Sequence, residues 1–152
     1  MIPTRAMTRA EFLKLAGAAA AATAASGPLA FAADRPLLTR AIPKSGEAIP
    51  VIGLGTAYEF SHAADEAAFA ARKEVIRTLL EGGGAVIDTA PVYAQAETII
   101  GRALAELASR PKTFIASKIS ISGEKAGIDQ FERTVKDLRA DKIDLIQIHN
   151  LR

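Results

Sequence analysis

Four short apolar runs, separated by stretches of helical period, constrain this chain more than any other feature. They are Val51 to Thr56, Ala85 to Asp88, Thr113 to Lys118 and Ile143 to His149. Each is too short for a buried helix and is rich in β-branched residues, so each reads as a strand. Between them, Asp65 to Glu81, Gln95 to Ser109 and a segment marked by Ile128, Phe131, Val135 and Leu138 carry apolar residues at helical spacing. Asp65 caps the first helix and Gly82 to Gly84 stop it, while Arg110-Pro111 stops the second, with Arg102, Glu106 and Arg110 facing outward. Strand–helix alternation of this kind predicts an α/β fold with parallel strands joined by crossover helices. Leu37 to Val51 adds a hairpin in front, with Lys44 to Glu47 as its turn.

In parallel α/β folds, ligands gather at the carboxyl ends of strands. Here those ends carry Gly55-Thr56, Asp88 with Tyr93 just beyond, Lys118, and His149. Taken alone, Asp88 reads as an N-cap and Tyr93 as a surface residue. A polar or ionisable side chain at every successive strand end is harder to explain by packing, because lysine is seldom placed where a strand leaves a core. Gly53 and Gly55 suggest a close approach of backbone to something. A doubly wound dinucleotide fold would need the Gly-x-Gly-x-x-Gly pattern after the first strand, and Tyr58 occupies the third glycine position.

A phenol, an ammonium, a carboxylate and an imidazole brought together suit proton donation to a carbonyl. A free tyrosine titrates near 10, about three units from neutrality, and a neighbouring cation lowers that value. Lys118 supplies the cation, Asp88 its counter-ion, and His149 a group to orient a carbonyl or share in proton transfer. None of these groups delivers a hydride, so reduction requires a cofactor.

The segments Ile52-Gly53-Leu54-Gly55-Thr56, Ile87-Asp88-Thr89-Ala90-Pro91-Val92-Tyr93, Ile115-Ala116-Ser117-Lys118 and Ile143 to Asn150, in this order, resemble the aldo/keto reductases, over about Leu37 to Arg152. The resemblance implies the N-terminal half of a (β/α)8 TIM barrel, about four βα units, with the hairpin closing its bottom. It implies Tyr93 as general acid, Lys118 as modulator of its pKa, Asp88 as the partner of Lys118, and His149 as the carbonyl-orienting residue. Gly55, Thr56 and Asp88 would lie by the nicotinamide ribose. The implied activity is NADPH-dependent (or NADH-dependent) reduction of aldehydes and ketones, with a small-molecule carbonyl as substrate. A whole barrel has eight strands in about 250 residues, and in this family the second half carries most contacts to the cofactor's amide and phosphates. The sequence ends shortly after the fourth strand, at Arg152. Residues 33–152 therefore read as a partial barrel truncated after strand 4, a fragment of a longer enzyme. Its open edges imply self-association. The alternative is a non-catalytic half-barrel fragment or interaction module.

Residues 1–32 read as an export signal. Arg5, Arg9 and Lys14 make a basic start, Leu15 to Ala25 a weakly apolar core too short to span a bilayer, and Ala30-Phe31-Ala32 a small-residue cleavage site. Thr8 to Lys14 resembles the twin-arginine motif, with Ala10 in place of the second arginine. This places the mature protein in the periplasm or outside the cell; a leader that stays attached would leave it cytoplasmic. The leader holds three basic residues against Glu11, so the body after it has equal numbers of acids and bases. That balance offers no basic field for nucleic acid and no membrane contact beyond export. With no cysteine, only His62 and His149, and no metal-ligand spacing, a metal site is not expected. His62 reads as a solvated loop residue, with Tyr58 and Phe60 in the same loop either lining a substrate pocket or simply packing.

Overall fold

The computed structural model describes Thr8 and residues 37–150. The chain divides into two units, Met1–Arg35 and Pro36–Arg152, and the described elements all lie in the second. The export leader expected at 1–32 falls outside the described residues, apart from Thr8.

The hairpin forms as expected. β1 (Thr39–Ala41) pairs antiparallel with β2 (Ala48–Pro50), Thr39 opposite Pro50. Gly46 takes the positive φ of 75° that the turn demands, and its N–H donates to the Ile42 carbonyl at 2.8 Å. A parallel sheet follows, made of β3 (Gly53–Gly55), β4 (Val86–Asp88), β5 (Phe114–Ile119) and β6 (Leu145–Ile148). Spatial order matches chain order, β3-β4-β5-β6. The crossovers are α1 (Glu66–Glu81), α2 (Ala96–Glu106) and α3 (Glu124–Asp137).

α1 starts where Asp65 Oδ1 accepts from the Ala68 N–H at 2.8 Å. It ends in the glycine run, where a Cβ on Gly84 would sit 2.5 Å from Leu79 Cδ1. α2 stops at Glu106, short of the expected Ser109, because Ala108 turns to a left-handed φ of 47°. Arg110 consequently lies in a separate 3-10 turn, Arg110–Lys112, and does not extend the outer face of α2. Its guanidinium turns inward instead, donating to the Thr113 carbonyl at 3.0 Å and to Asp144 Oδ2 at 3.3 Å.

Successive strand residues point to opposite faces. On the helix-covered face, Ile87 and Ile115 are fully buried and meet Ile76, Ile100, Leu104 and Leu138 in one core. Asp88 pairs with Ala116, two residues before Lys118, so Asp88 and Lys118 share the other face. α2 packs tightly against the end of α3 at Gly101, where a Cβ would fall 2.2 Å from the Asp137 carbonyl oxygen.

Two burial expectations are corrected. Val51 to Thr56 was expected to form a buried strand, yet the strand is Gly53–Gly55 and the preceding Val51 and Ile52 are exposed, because among the described residues β3 has a neighbour on one side only. On α3 the buried positions are Gln130 and Thr134, with Leu138 at its cap, turned toward α2 and β5. Ile128 and Phe131 of the expected apolar stripe lie outside that contact and are exposed.

Candidate active site

The four strand-end side chains converge. β4 delivers Asp88 onto the face away from the helices. The chain then turns tightly, the Thr89 N–H donating to the Ala116 carbonyl at 2.9 Å and the Tyr93 N–H to the Ala90 carbonyl at 3.0 Å. Pro91 sits within this turn and fixes its φ. Tyr93 is thereby held just before α2, whose first residue, Ala96, donates its N–H back to the Tyr93 carbonyl at 3.0 Å.

Lys118, near the end of β5, points at the same spot. Its ammonium donates to both Asp88 oxygens, at 2.8 and 2.7 Å, and to the Thr89 carbonyl at 2.9 Å. All three of its donors are thus engaged. The Lys118 side chain is 12% exposed and that of Asp88 42%, so the ammonium is the buried partner and the carboxylate the open one. The same ammonium lies 5.5 Å from the centroid of the Tyr93 ring, within cation–π range. His149 closes the group from β6. Its ring centroid is 5.9 Å from that of Tyr93, edge-on at 89°. Its backbone N–H donates to the Ile119 carbonyl at 2.8 Å, which ties the end of β6 to β5. His149 Nδ1 is buried and has no hydrogen-bond partner among the described residues.

The two glycines of the first run separate in role. A Cβ on Gly53 would lie 3.0 Å from Val86 Cβ, so the close backbone approach is to the neighbouring strand. A Cβ on Gly55 would meet nothing within 4 Å, so Gly55 opens onto free space beside Asp88, its partner in register. Thr56 is fully buried, and both its N–H (3.1 Å) and its hydroxyl (2.9 Å) donate to the Asp88 carbonyl. It braces the ends of β3 and β4 and has no donor left for a ligand. In the following loop Tyr58 is 90% exposed, Phe60 packs into the core, and His62 is exposed.

Sequence reasoning missed a buried carboxyl directly behind this group. Glu97, in the first turn of α2, accepts from Ser117 Oγ at 2.7 Å and from Thr134 Oγ1 at 3.0 Å. Burial pushes its carboxyl above the ordinary range, against the pull of those two hydroxyls. A signal for it exists in the sequence: Glu97 stands one turn before Ile100 and Gly101, and two before Leu104, on the inward stripe of the helix.

Residues 51–152 match the sequence model of the aldo/keto reductase family. Among curated relatives, the aldo-keto reductase YhdN of Bacillus subtilis is 33% identical over half of this chain and 27% of its own length. The methylglyoxal reductase YeaE of Escherichia coli is 35% identical over 66% of this chain and 35% of its own length. The chain thus spans between 27% and 35% of these two relatives. Among solved structures, an aldo-keto reductase of Klebsiella pneumoniae in complex with NADPH is 30% identical, with a TM-score of 0.63 over 74% of this chain and 40% of that one. A putative aldo-keto reductase from Pseudomonas aeruginosa is 26% identical, with a TM-score of 0.66 over 76% of this chain and 48% of that one. The parallel α/β fold described above matches part of those barrels, and with two thirds of its length matched by the family model the chain belongs to the aldo/keto reductase family.

Proposed function

We propose that this chain carries the proton-transfer machinery of an NAD(P)H-dependent reductase of aldehydes and ketones. The observation that carries the reading is the Lys118 ammonium, locked to Asp88 and facing the Tyr93 ring, with His149 edge-on to the same ring. Packing alone gives no reason to gather these four groups at one rim of a sheet.

Tyr93 acts as the acid. Its hydroxyl proton passes to the carbonyl oxygen as that oxygen gains negative charge, forming the new O–H bond. The phenolate left behind faces the Lys118 ammonium, and a proton from solvent restores the phenol. Asp88 keeps Lys118 in place through two hydrogen bonds, and His149 hydrogen-bonds the carbonyl oxygen and fixes its approach. A reduced nicotinamide, when bound, supplies the hydride that forms the C–H bond. The residues present fit its ribose end: Gly55 leaves room, and the Asp88 carboxylate beside it is open enough to accept from a ribose hydroxyl. NADPH is favoured because the Klebsiella pneumoniae relative is in complex with it. We also propose that the leader directs export, and that these residues form part of a larger barrel.

NADPH fluorescence on the purified chain tests the cofactor reading; saturable binding at micromolar concentration supports it, and none at millimolar concentration overturns it for this chain. Tyr93→Phe should lower carbonyl reduction by about 100-fold or more with NADPH binding unchanged. Unchanged turnover would remove Tyr93 from its role.

The exposed apolar residues just before β3 and on β6 favour a second reading, a non-catalytic half-barrel module that pairs through its edges. A stable dimer in light scattering that fails to bind NADPH would support it.

A further inference from the structure

Glu97 is 5% exposed and belongs to no step of the proposed reaction. It nonetheless joins the two elements that present the reacting pair. Tyr93 lies four residues ahead of it, in the turn that leads into α2, and Ser117 is the residue before Lys118 on β5. Among the described residues, the bond from Ser117 Oγ to Glu97 Oε1, 2.7 Å long, is the side-chain hydrogen bond that links α2 to β5. The second oxygen is held from α3 by Thr134 Oγ1 at 3.0 Å. Ser117 and Thr134 are themselves almost wholly buried. A carboxyl is an expensive group to place here, since burial disfavours its charge. A leucine would fill the space and leave the two hydroxyls without acceptors. Two buried hydroxyl donors from two elements meet one carboxyl from a third, so that each of its oxygens has a partner. Strand alternation puts Ser117 and Lys118 on opposite faces of β5, so fixing Ser117 from behind sets where Lys118 projects in front.

We propose that Glu97 is a positioning residue for the proposed active site: through Ser117 it registers β5 against the first turn of α2, and so fixes the separation of Lys118 from Tyr93. The inference rests on the roles given to Tyr93 and Lys118 above. Two variants of the full chain separate positioning from plain stability. Ser117→Ala and Thr134→Ala each remove one buried hydroxyl from Glu97, but only the first breaks the side-chain hydrogen bond between α2 and β5.

The readout is the side-chain ammonium resonance of Lys118 in ¹⁵N-lysine NMR, assigned with Lys118→Arg, alongside thermal melts. Ser117→Ala should shift or broaden the Lys118 signal and speed its exchange with solvent several-fold. Thr134→Ala should leave the signal in place despite a similar loss of stability, and Ser117→Thr should restore it. Where carbonyl reduction is measurable, Ser117→Ala should lower kcat about tenfold with KM for NADPH unchanged. A Lys118 signal that moves in both alanine variants, or in neither, overturns the proposal. Absence of turnover in the unmodified chain would count against the proposed function, and the NMR comparison would still decide the role of Glu97.

Discussion

Asp88 and Lys118 form one ion pair with two unlike ends. The ammonium is largely enclosed and the carboxylate is half open, so the two deletions should not cost the same. Asp88→Asn leaves an enclosed charge with the Thr89 carbonyl and an amide oxygen, and should cost about 2–3 kcal/mol. Lys118→Met leaves a carboxylate that water can reach, and should cost less than about 1 kcal/mol. Urea melts of the two variants check the order, and both should abolish carbonyl reduction. Two other carboxyls bend the pH dependence of stability in opposite directions. Burial raises Asp144, but the hydrogen bonds from Lys142 and the Ile115 N–H and the charge of Arg110 outweigh it and hold the group below its ordinary value of 3.8. A depressed carboxyl stabilises the fold above its unfolded value, and that stability is lost as pH falls through the folded one. Glu97 is raised above its ordinary 4.5, chiefly by burial, so the folded state binds its proton more tightly than the unfolded state. Its contribution is greatest below 4.5 and falls as pH rises through the folded value. The urea midpoint should therefore drop at strongly acid pH in the parent chain and drop less in Asp144→Asn. Glu97→Gln should flatten the decline on the other side, above 4.5.

Strands and helices were legible in the sequence for a local reason. The apolar runs are short and fenced by glycine, proline and aspartate, so their type and order follow from propensity and punctuation. Which face of an element is covered depends on its neighbours, and there the sequence was silent. The apolar spacing of Ile128, Phe131 and Val135 marked α3 as a helix, yet its contacts run through Gln130 and Thr134, because α3 leans on α2. Arg110 read as an outward residue because nothing in the sequence announces the left-handed turn at Ala108 that ends α2 early. The strand-end group was legible because parallel sheets gather chemistry at one rim. Glu97 was not, because a charge on a helix is ordinarily read as solvated. The α2–α3 contact gives a sharp test of this packing. A methyl on Gly101 would fall 2.2 Å from the Asp137 carbonyl oxygen and 2.7 Å from the Leu138 carbonyl carbon, both backbone atoms that cannot swing aside. Gly101→Ala should therefore cost about 3 kcal/mol, although alanine is the better helix former. A melt at or above the parent midpoint would show that the two helices can separate freely.

Among the described residues the parallel sheet has two open flanks. β3 and β6 each have one hydrogen-bonded neighbour among the described residues, so each presents an unpaired row of backbone N–H and C=O groups. Exposed apolar side chains accompany both flanks: Val51 and Ile52 just before β3, and Leu145, Ile146 and Ile148 on β6. An edge with unpaired backbone and apolar side chains is a template for another strand. Ile148 is 63% exposed, which makes it a place where charge can be added without disturbing the core. Ile148→Lys should shift the stability of the chain by no more than about 0.5 kcal/mol. It should also oppose pairing at the β6 edge, since an edge lysine resists a second strand. Light scattering over a concentration series checks this directly. The parent chain should gain mass as concentration rises and Ile148→Lys should gain less. Equal association by both would move the contact to the β3 flank, and a parent chain that stays monomeric throughout would remove edge pairing altogether.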